Sequence, residues 1–267
     1  VGSEMCIRDR YIGIGGYKVF WKDFYSSCER YFLPNIVKEY FFFTDQLDEL
    51  KPANVKEYFQ EDLGWPGNTL YRFKMFLKYK EELAVFDFIY FFNGNTLFLD
   101  TINEEEIIPN GSDGYLVALS WYIYDSIPKQ KYPYERDCKS TAYISKEEGI
   151  HYYQGGLNGG RSKEFLELME QCNFQIIEDD KKGVVASHHD ESHLNKYLLN
   201  KNVKLLSIKY GCPEEWKDSN FSKIIFRSKH KYFGTEMDKM KENDMYNFIY
   251  LKIKRGIKAI CMRFMIK

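Results

Sequence analysis

The chain has 267 residues, of which 44% are hydrophobic, and this length favours one sizeable core over two independent domains. Its 38 basic and 39 acidic residues give a formal net charge of −1, so no global field recruits nucleic acid. No apolar run reaches the roughly 18 residues that cross a bilayer. Six cysteines without paired metal spacing are typical of reduced thiols in a cytoplasmic protein.

The first part of the chain alternates predicted strands with predicted helices. Residues 1–10 resemble translated sequencing adapter, so we exclude them and expect the first strand to begin at about Tyr11, ahead of a turn at Gly15-Gly16. An aromatic face predicts a helix over residues 20–32. The apolar run at residues 39–45 predicts a buried parallel strand.

A further helix and a second buried strand follow. Asn68-Thr69 is predicted to cap a helix that ends near Leu83. Its apolar positions are Leu70, Phe73 and Leu77. The run at residues 86–92 predicts a strand that stops at Asn93-Gly94-Asn95. Such alternation predicts an α/β fold with a mainly parallel sheet, in which ligands bind at the carboxyl ends of the strands.

The second half is less regular. A strand is predicted over residues 115–120, and the stretch 121–153 is too long for a simple connection, which indicates a functional loop. The glycines at 155–160 match no nucleotide-binding fingerprint, and they form either a tight turn or a loop that a sugar can approach closely. Helices are predicted from 162 to about 177 and over 190–199. The buried face of the first comprises Phe165, Leu168, Met169, Cys172 and Ile176.

The segment His188–His193 is the densest cluster of titratable groups in the sequence. On a helix, His189 and His193 would lie one turn apart and could bind zinc, as in a metal-dependent hydrolase. A zinc hydrolase motif requires glutamate directly after the first histidine, and Asp190 stands there. The other interpretations are a solvated helix start, in which the acidic residues favour the helix dipole, and a carboxylate that faces a sugar pocket.

Asn93 and Asn95 follow a predicted strand where many sugar-nucleotide enzymes place two aspartates that hold Mn²⁺. Neutral amides ligate divalent cations far less well than carboxylates do. We therefore expect no bound metal and no Mn²⁺ cofactor. An ordinary Asn-Gly turn is the alternative interpretation.

Taken together, the motifs resemble glycosyltransferase family 6, the family of the histo-blood-group A and B transferases and α1,3-galactosyltransferases, and particularly its bacterial branch. The matching segments are residues 40–45, 134–136, 142–149 and 189–197 and the glycine pairs at 155–156 and 159–160. Bacterial members typically carry Asn-x-Asn, as Asn93 and Asn95 do. The resemblance covers roughly residues 11–234, and we expect the catalytic domain to span residues 11–240.

The resemblance implies a glycosyltransferase A-type nucleotide-binding sandwich that transfers a sugar from a UDP donor with retention of configuration. Glu191 matches the catalytic carboxylate of the family, which acts as a nucleophile or stabilises an oxocarbenium-like transition state. Asp190 would bind hydroxyls of the donor sugar, and His189 would position the pocket. Cations and amides would balance the diphosphate charge in place of a metal. The implied donor-binding residues are Trp65, Arg72, Asn93, Asn95, Lys229 and Lys231.

Gly155 and Gly156 align with the positions that discriminate an N-acetyl group from a hydroxyl in this family. Two small residues favour UDP-N-acetylgalactosamine first and UDP-galactose second. The implied acceptor residues are Ser120, Tyr134, Gln154 and His188. Ser120 and His188 depart from the family pattern, which weakens the case for a fucosylated acceptor. We predict an α-linkage to the 3-hydroxyl of a β-galactoside-type oligosaccharide or lipid-linked glycan.

Residues 245–267 mix apolar and basic side chains and contain no acidic residue. This tail either lies on an anionic membrane at the cytoplasmic face or docks against the domain. A metal-dependent hydrolase and a non-catalytic carbohydrate-binding module stand as alternative functions.

Overall fold

The computed structural model describes residues 6–124, 127–216 and 221–234. The predicted basic tail at residues 245–267 and the end of the predicted catalytic domain, 235–240, lie outside these ranges. Among the described residues, none of the helices combines the length and the apolar character that crossing a bilayer requires.

The strands form two sheets. They are β1 (Cys6–Ile12), β2 (Val37–Thr44), β3 (Val55–Phe59), β4 (Phe88–Phe92), β5 (Thr96–Phe98), β6 (Leu116–Ser120), β7 (Tyr153–Arg161), β8 (Lys204–Leu206), β9 (Cys212–Pro213) and β10 (Ile224–Phe226). The large sheet has the order β3-β2-β1-β4-β7-β6-β8, and the small sheet has the order β5-β10-β9. In the large sheet β7 is antiparallel to β4 and β6, whereas the other pairs are parallel. The predicted α/β fold with a mainly parallel sheet is confirmed.

Helices cover both faces of the large sheet. They are α1 (Trp21–Tyr31), α2 (Gly67–Leu70), α3 (Arg72–Leu77), α4 (Lys80–Leu83), α5 (Glu104–Ile107), α6 (Ser162–Lys181), α7 (His189–Leu198) and α8 (Lys229–Phe233). Successive strand residues point to opposite faces. Phe42 of β2 therefore packs in the core that includes α1, while Phe41 and Phe43 pack in the core that includes α3, α6 and α7.

The predicted start of the first strand was wrong by five residues. β1 begins at Cys6 and pairs in parallel with β2 and β4, so the segment excluded from the prediction contributes to the centre of the sheet. Charged residues dominate this segment and hide the apolar pattern of a buried strand. Asp9 is fully buried, opposite Tyr40 and Tyr90.

The predicted helix capped by Asn68 was also wrong. Three short helices, α2 to α4, replace it, and α2 begins at Gly67, before the predicted cap. The side chain of Asn68 instead bonds the preceding loop, because its Oδ1 accepts a 2.9 Å hydrogen bond from the N–H of Leu63 and its amide donates to Asp62 at 2.6 Å.

The glycines at 155–160 lie inside strand β7, and the prediction of a turn or loop was wrong. The strand passes too close to its neighbours for side chains. A Cβ atom on Gly159 would lie 2.5 Å from the carbonyl oxygen of Ile89, and one on Gly160 would lie 2.3 Å from that of Tyr115. Glycine is required here by close packing in the sheet.

A bulge interrupts the pairing of β7 with β6. Ala118 pairs with Asn158, but the next β6 residue, Leu119, pairs with Gln154, so residues 155–157 have no partner in β6. A bulge bends its strand and frees backbone groups from the ladder. The main chain of Gly155 is therefore free to bond side chains.

Candidate active site

The site lies at the carboxyl edge of the large sheet. Parallel strands β1, β4 and β6 end at this edge, and β7 begins there because it runs the opposite way. A cleft opens beside these strand ends. Its lining includes the predicted donor residues Trp65, Arg72, Asn93 and Lys229.

Glu191, in the first turn of α7, is held by two hydrogen bonds. The hydroxyl of Tyr152 donates to Oε1 at 2.5 Å, and the backbone N–H of Gly155 donates to Oε2 at 2.6 Å. Burial raises the pKa of Glu191, and these two donors together with the charge of Arg72 lower it in part. Burial also raises the pKa of Tyr152, so its hydroxyl keeps the proton that it donates.

Asp190 and Arg72 form a buried ion pair next to Glu191. The guanidinium Nη2 lies 2.7 Å from Oδ2 of Asp190, and both side chains are 3% exposed. Nη1 donates to the carbonyl oxygen of Gly155 at 2.9 Å, and the guanidinium carbon lies 4.2 Å from the ring centre of Phe91. Burial, helped by the charge of Glu191, raises the pKa of Asp190 to about 6 against the opposing effect of Arg72.

Asn195 joins α7 to β7. Its Oδ1 accepts a 2.9 Å hydrogen bond from the N–H of Tyr153, and its Nδ2 donates to the carbonyl oxygen of the same residue at 2.7 Å. These two hydrogen bonds fix α7 against the bulged end of β7. The first turn of α7, which carries Asp190 and Glu191, is thereby held against the start of β7.

An acidic pair at the edge of a mainly parallel sheet, with a tyrosine and an arginine that fix the two carboxylates, is an arrangement suited to stabilising a positive charge that develops on a bound substrate. Residues 5–235 of the chain match the sequence model of glycosyltransferase family 6. The chain belongs to glycosyltransferase family 6. The expected family is confirmed.

Relatives of this family 6 chain occur in bacteria and in mammals. It is 36% identical to the O-antigen biosynthesis glycosyltransferase WbnI of Escherichia coli over 235 residues, which cover 85% of this chain and 96% of the relative. It is 31% identical to histo-blood group ABO system transferase 1 of Rattus norvegicus over 208 residues, covering 73% of this chain and 57% of the relative. It is 27% identical to globoside alpha-1,3-N-acetylgalactosaminyltransferase 1 of Homo sapiens over 207 residues, covering 74% of this chain and 58% of the relative. The match thus spans under two thirds of each mammalian relative.

Two of the predicted donor residues of this family 6 chain, Asn95 and Lys231, do not line the cleft. The amide of Asn95 is buried and donates to the carbonyl oxygen of Arg227 at 2.6 Å, which fastens the small sheet. Lys231 pairs with Glu214 at 2.8 Å on the surface, and this contact raises the pKa of the lysine. Lys229, by contrast, lines the cleft with its Nζ 5.1 Å from the ring centre of Tyr17.

The predicted acceptor residues lie around Tyr152, but three of the four are buried. Ser120, Tyr134 and Gln154 are at most 8% exposed. The hydroxyl of Tyr134 donates to the carbonyl oxygen of His151 at 2.5 Å. His188 is exposed, and its ring centre lies 6.4 Å from that of Tyr152.

The histidines predicted as a possible zinc pair contact different partners. The ring of His189 packs edge-on against Trp65, with centres 5.1 Å apart, and its backbone φ is +52°. Nε2 of His193 lies 3.9 Å from Asp179 in the core, and burial lowers the pKa of His193 to about 4. Across the described ranges, no three His, Cys, Asp or Glu side chains converge as metal ligands would.

Gly155 and Gly156 do not leave the open space expected of them. A Cβ atom on Gly155 would lie 3.3 Å from Oε2 of Glu191, and one on Gly156 would lie 2.6 Å from Cζ of Phe226. Protein side chains thus occupy the room beside both glycines. The reason is the close approach of α7 on one side and β10 on the other.

Sequence reasoning missed Tyr152, Asn195 and Phe226. Tyr152 is one of 22 tyrosines, and nothing in its local pattern marks it as the partner of Glu191. Asn195 follows Glu191 by four residues, so a helix places both on one face, and this spacing is a signal that could have been used. Phe226 lies beside Gly156 through a contact between segments that are far apart in sequence, which no local pattern reveals.

Proposed function

We propose that this chain transfers a galactose-type sugar, N-acetylgalactosamine or galactose, from a UDP donor to a glycan with retention of configuration. The observation that carries the proposal is the geometry of Glu191, whose two oxygens are fixed by Tyr152 and by the N–H of Gly155. A glycosyltransferase A-type sandwich is the architecture that we infer from the family and from the mainly parallel sheet.

In this mechanism Glu191 faces the anomeric carbon on the side opposite the departing UDP. Its negative charge stabilises the positive charge that develops there, either as a fixed carboxylate or as a covalent nucleophile. Asp190, held by Arg72, binds hydroxyls of the sugar. Because these groups are already positioned before the reaction, little reorganisation accompanies the transition state.

The departing diphosphate is neutralised without a metal in this proposal. Asn93 and Lys229 line the cleft and supply an amide and a cation to the phosphate oxygens. The amide of Asn93 is a poor ligand for a divalent cation, and the amide of Asn95 bonds Arg227 instead. The protein therefore acts in the absence of Mn²⁺.

The acceptor is proposed to be a β-galactoside-type glycan, which is attacked through its 3-hydroxyl. Trp121 lies next to the site, because its N–H donates to the carbonyl oxygen of Tyr152. Its ring is nearly parallel to that of Trp216, with centres 5.8 Å apart and planes inclined by 6°, and such apolar aromatic surface suits the apolar face of a sugar. The bacterial relative is named for O-antigen biosynthesis. This supports a lipid-linked acceptor at the cytoplasmic face of a membrane, which the basic tail would contact.

The test is donor turnover by purified protein with UDP-galactose and UDP-N-acetylgalactosamine, with β-galactoside acceptors and excess EDTA, followed by mass spectrometry. We expect transfer in EDTA. Glu191→Gln should lower turnover by about 10²-fold to 10³-fold and leave UDP binding nearly unchanged. Glu167→Gln, at an exposed position on α6, is the matched control and should behave as wild type. A strict requirement for a divalent cation would overturn metal independence, and UDP binding without turnover would favour the binding module.

A further inference from the structure

Phe226, the last residue of β10, fills the space beside Gly156. A Cβ atom on Gly156 would lie 2.6 Å from Cζ and 2.8 Å from Cε2 of the Phe226 ring. Gly211 borders the same ring, because its Cβ would lie 2.9 Å from Cε2. Two glycines from distant parts of the chain thus make room for this one aromatic ring, which stays half-buried at the edge of the core.

The ring lies next to the groups that hold the reacting centre. Gly156 directly follows Gly155, whose N–H and C=O contact Glu191 and Arg72. The carbonyl oxygen of Gly156 accepts a 2.8 Å hydrogen bond from the N–H of Asn93, a residue of the cleft. The Phe226 ring therefore borders the β7 residue that directly follows Gly155, the residue whose N–H holds the carboxylate of Glu191.

We propose that Phe226 limits the size of the substituent at C2 of the donor sugar and makes the site selective for galactose over N-acetylgalactosamine. This inference rests on the proposed function. C2 is bonded to the anomeric carbon, so its substituent lies close to Glu191 and to the start of β7. An acetamido group carries a carbonyl and a methyl group where galactose has a hydroxyl, and the Phe226 ring occupies the space that this extra bulk needs.

The test compares hydrolysis of UDP-galactose and of UDP-N-acetylgalactosamine without acceptor, so that the unidentified acceptor plays no part. Wild type should prefer UDP-galactose. Phe226→Ala should shift the ratio of the two kcat/KM values towards UDP-N-acetylgalactosamine by about tenfold or more, the scale expected when a pocket changes by a few methylene groups. Phe221→Ala, at a side chain that is 84% exposed in the segment before β10, is the matched control and should leave the ratio unchanged.

Phe226→Leu, a smaller change in volume, provides a second variant if the alanine form does not fold, and it should shift the ratio in the same direction. A ratio that stays within twofold of wild type in a folded Phe226 variant would overturn the inference. So would a wild type that prefers UDP-N-acetylgalactosamine. Either result leaves the proposed function standing, whereas absence of turnover with both donors, alone and with acceptors, would refute the proposed function itself.

Discussion

The hydroxyl of Tyr152 donates a 2.5 Å hydrogen bond to Oε1 of Glu191. This bond fixes one oxygen of a carboxyl group whose other oxygen is held by the backbone of Gly155. It also lowers the pKa of Glu191 against the effect of burial. One phenol therefore orients the carboxylate and favours its ionised form.

Tyr152→Phe should lower kcat by about tenfold to a hundredfold and change the donor KM little, because the lost bond serves the carboxylate and not the substrate. Without this donor the pKa of Glu191 rises, so the acid limb of the kcat profile should move to higher pH. Tyr132→Phe is the control, since that hydroxyl bonds the carbonyl oxygen of Ile150 instead. An acid limb that stays in place would show that Tyr152 does not act through Glu191.

Arg72→Ala should destabilise the fold by about 3 kcal/mol, because it leaves Asp190 buried without its partner. Asp190→Asn should also destabilise the protein. The double variant should lose less stability than the sum of the two single losses, because the Asp190 substitution removes a carboxylate that the Arg72 substitution has already left without its partner. Urea unfolding of all four proteins measures this coupling. Additive losses would mean that the two side chains do not stabilise each other.

On acidification, the free energy of unfolding should decrease less in His193→Gln than in wild type. Burial lowers the pKa of His193 to about 4, so its contribution is complete above the unfolded value of 6.5 and is lost as pH falls towards 4. The difference between the proteins should change by on the order of 3 kcal/mol across this window. Asp190 affects the pH dependence in the opposite direction, because its pKa is raised: its contribution to stability is present below pH 3.8 and is lost as the pH rises to about 6. This contribution is the same in wild type and variant, so it cancels when the two proteins are compared. Parallel stability curves for the two proteins would contradict the assignment.

Asn195→Ala should cost about 2 to 4 kcal/mol, because the N–H and C=O of Tyr153 both lose a buried partner. Asn202→Ala is a matched control. Its amide donates to the carbonyl oxygen of Ser112 at the surface, and its loss should stay within about 0.5 kcal/mol. Chemical denaturation measures both. Equal losses would indicate that the clamp between α7 and β7 contributes little.

Much of the architecture could be predicted because apolar periodicity is a local signal. The predicted buried face of α6, including Phe165 and Cys172, is buried as expected, and α7 begins within one residue of its prediction. Glu191 and Arg72 were identified through the family resemblance, and the structure brings both to Gly155.

The errors arose where tertiary contacts override local preference. Six residues that include four glycines look like a turn, yet neighbouring strands press so closely on β7 that other side chains would clash. Likewise, no local pattern reveals that Asn95 turns away from the cleft to bond Arg227, or that Phe226 meets Gly156. Such pairings join segments that are far apart in sequence.

The bulge in β7 has a consequence for mutagenesis. Because residues 155–157 have no partner in β6, the two main-chain polar groups of Gly155, and not a side chain, bind the site: its N–H donates to Glu191 and its C=O accepts from Arg72. Alanine scanning would not detect the hydrogen bond from the N–H of Gly155 to Glu191, because every substitution except proline keeps the backbone N–H. Replacing the amide of residue 155 with an ester by chemical synthesis would delete the donor while every side chain stays in place.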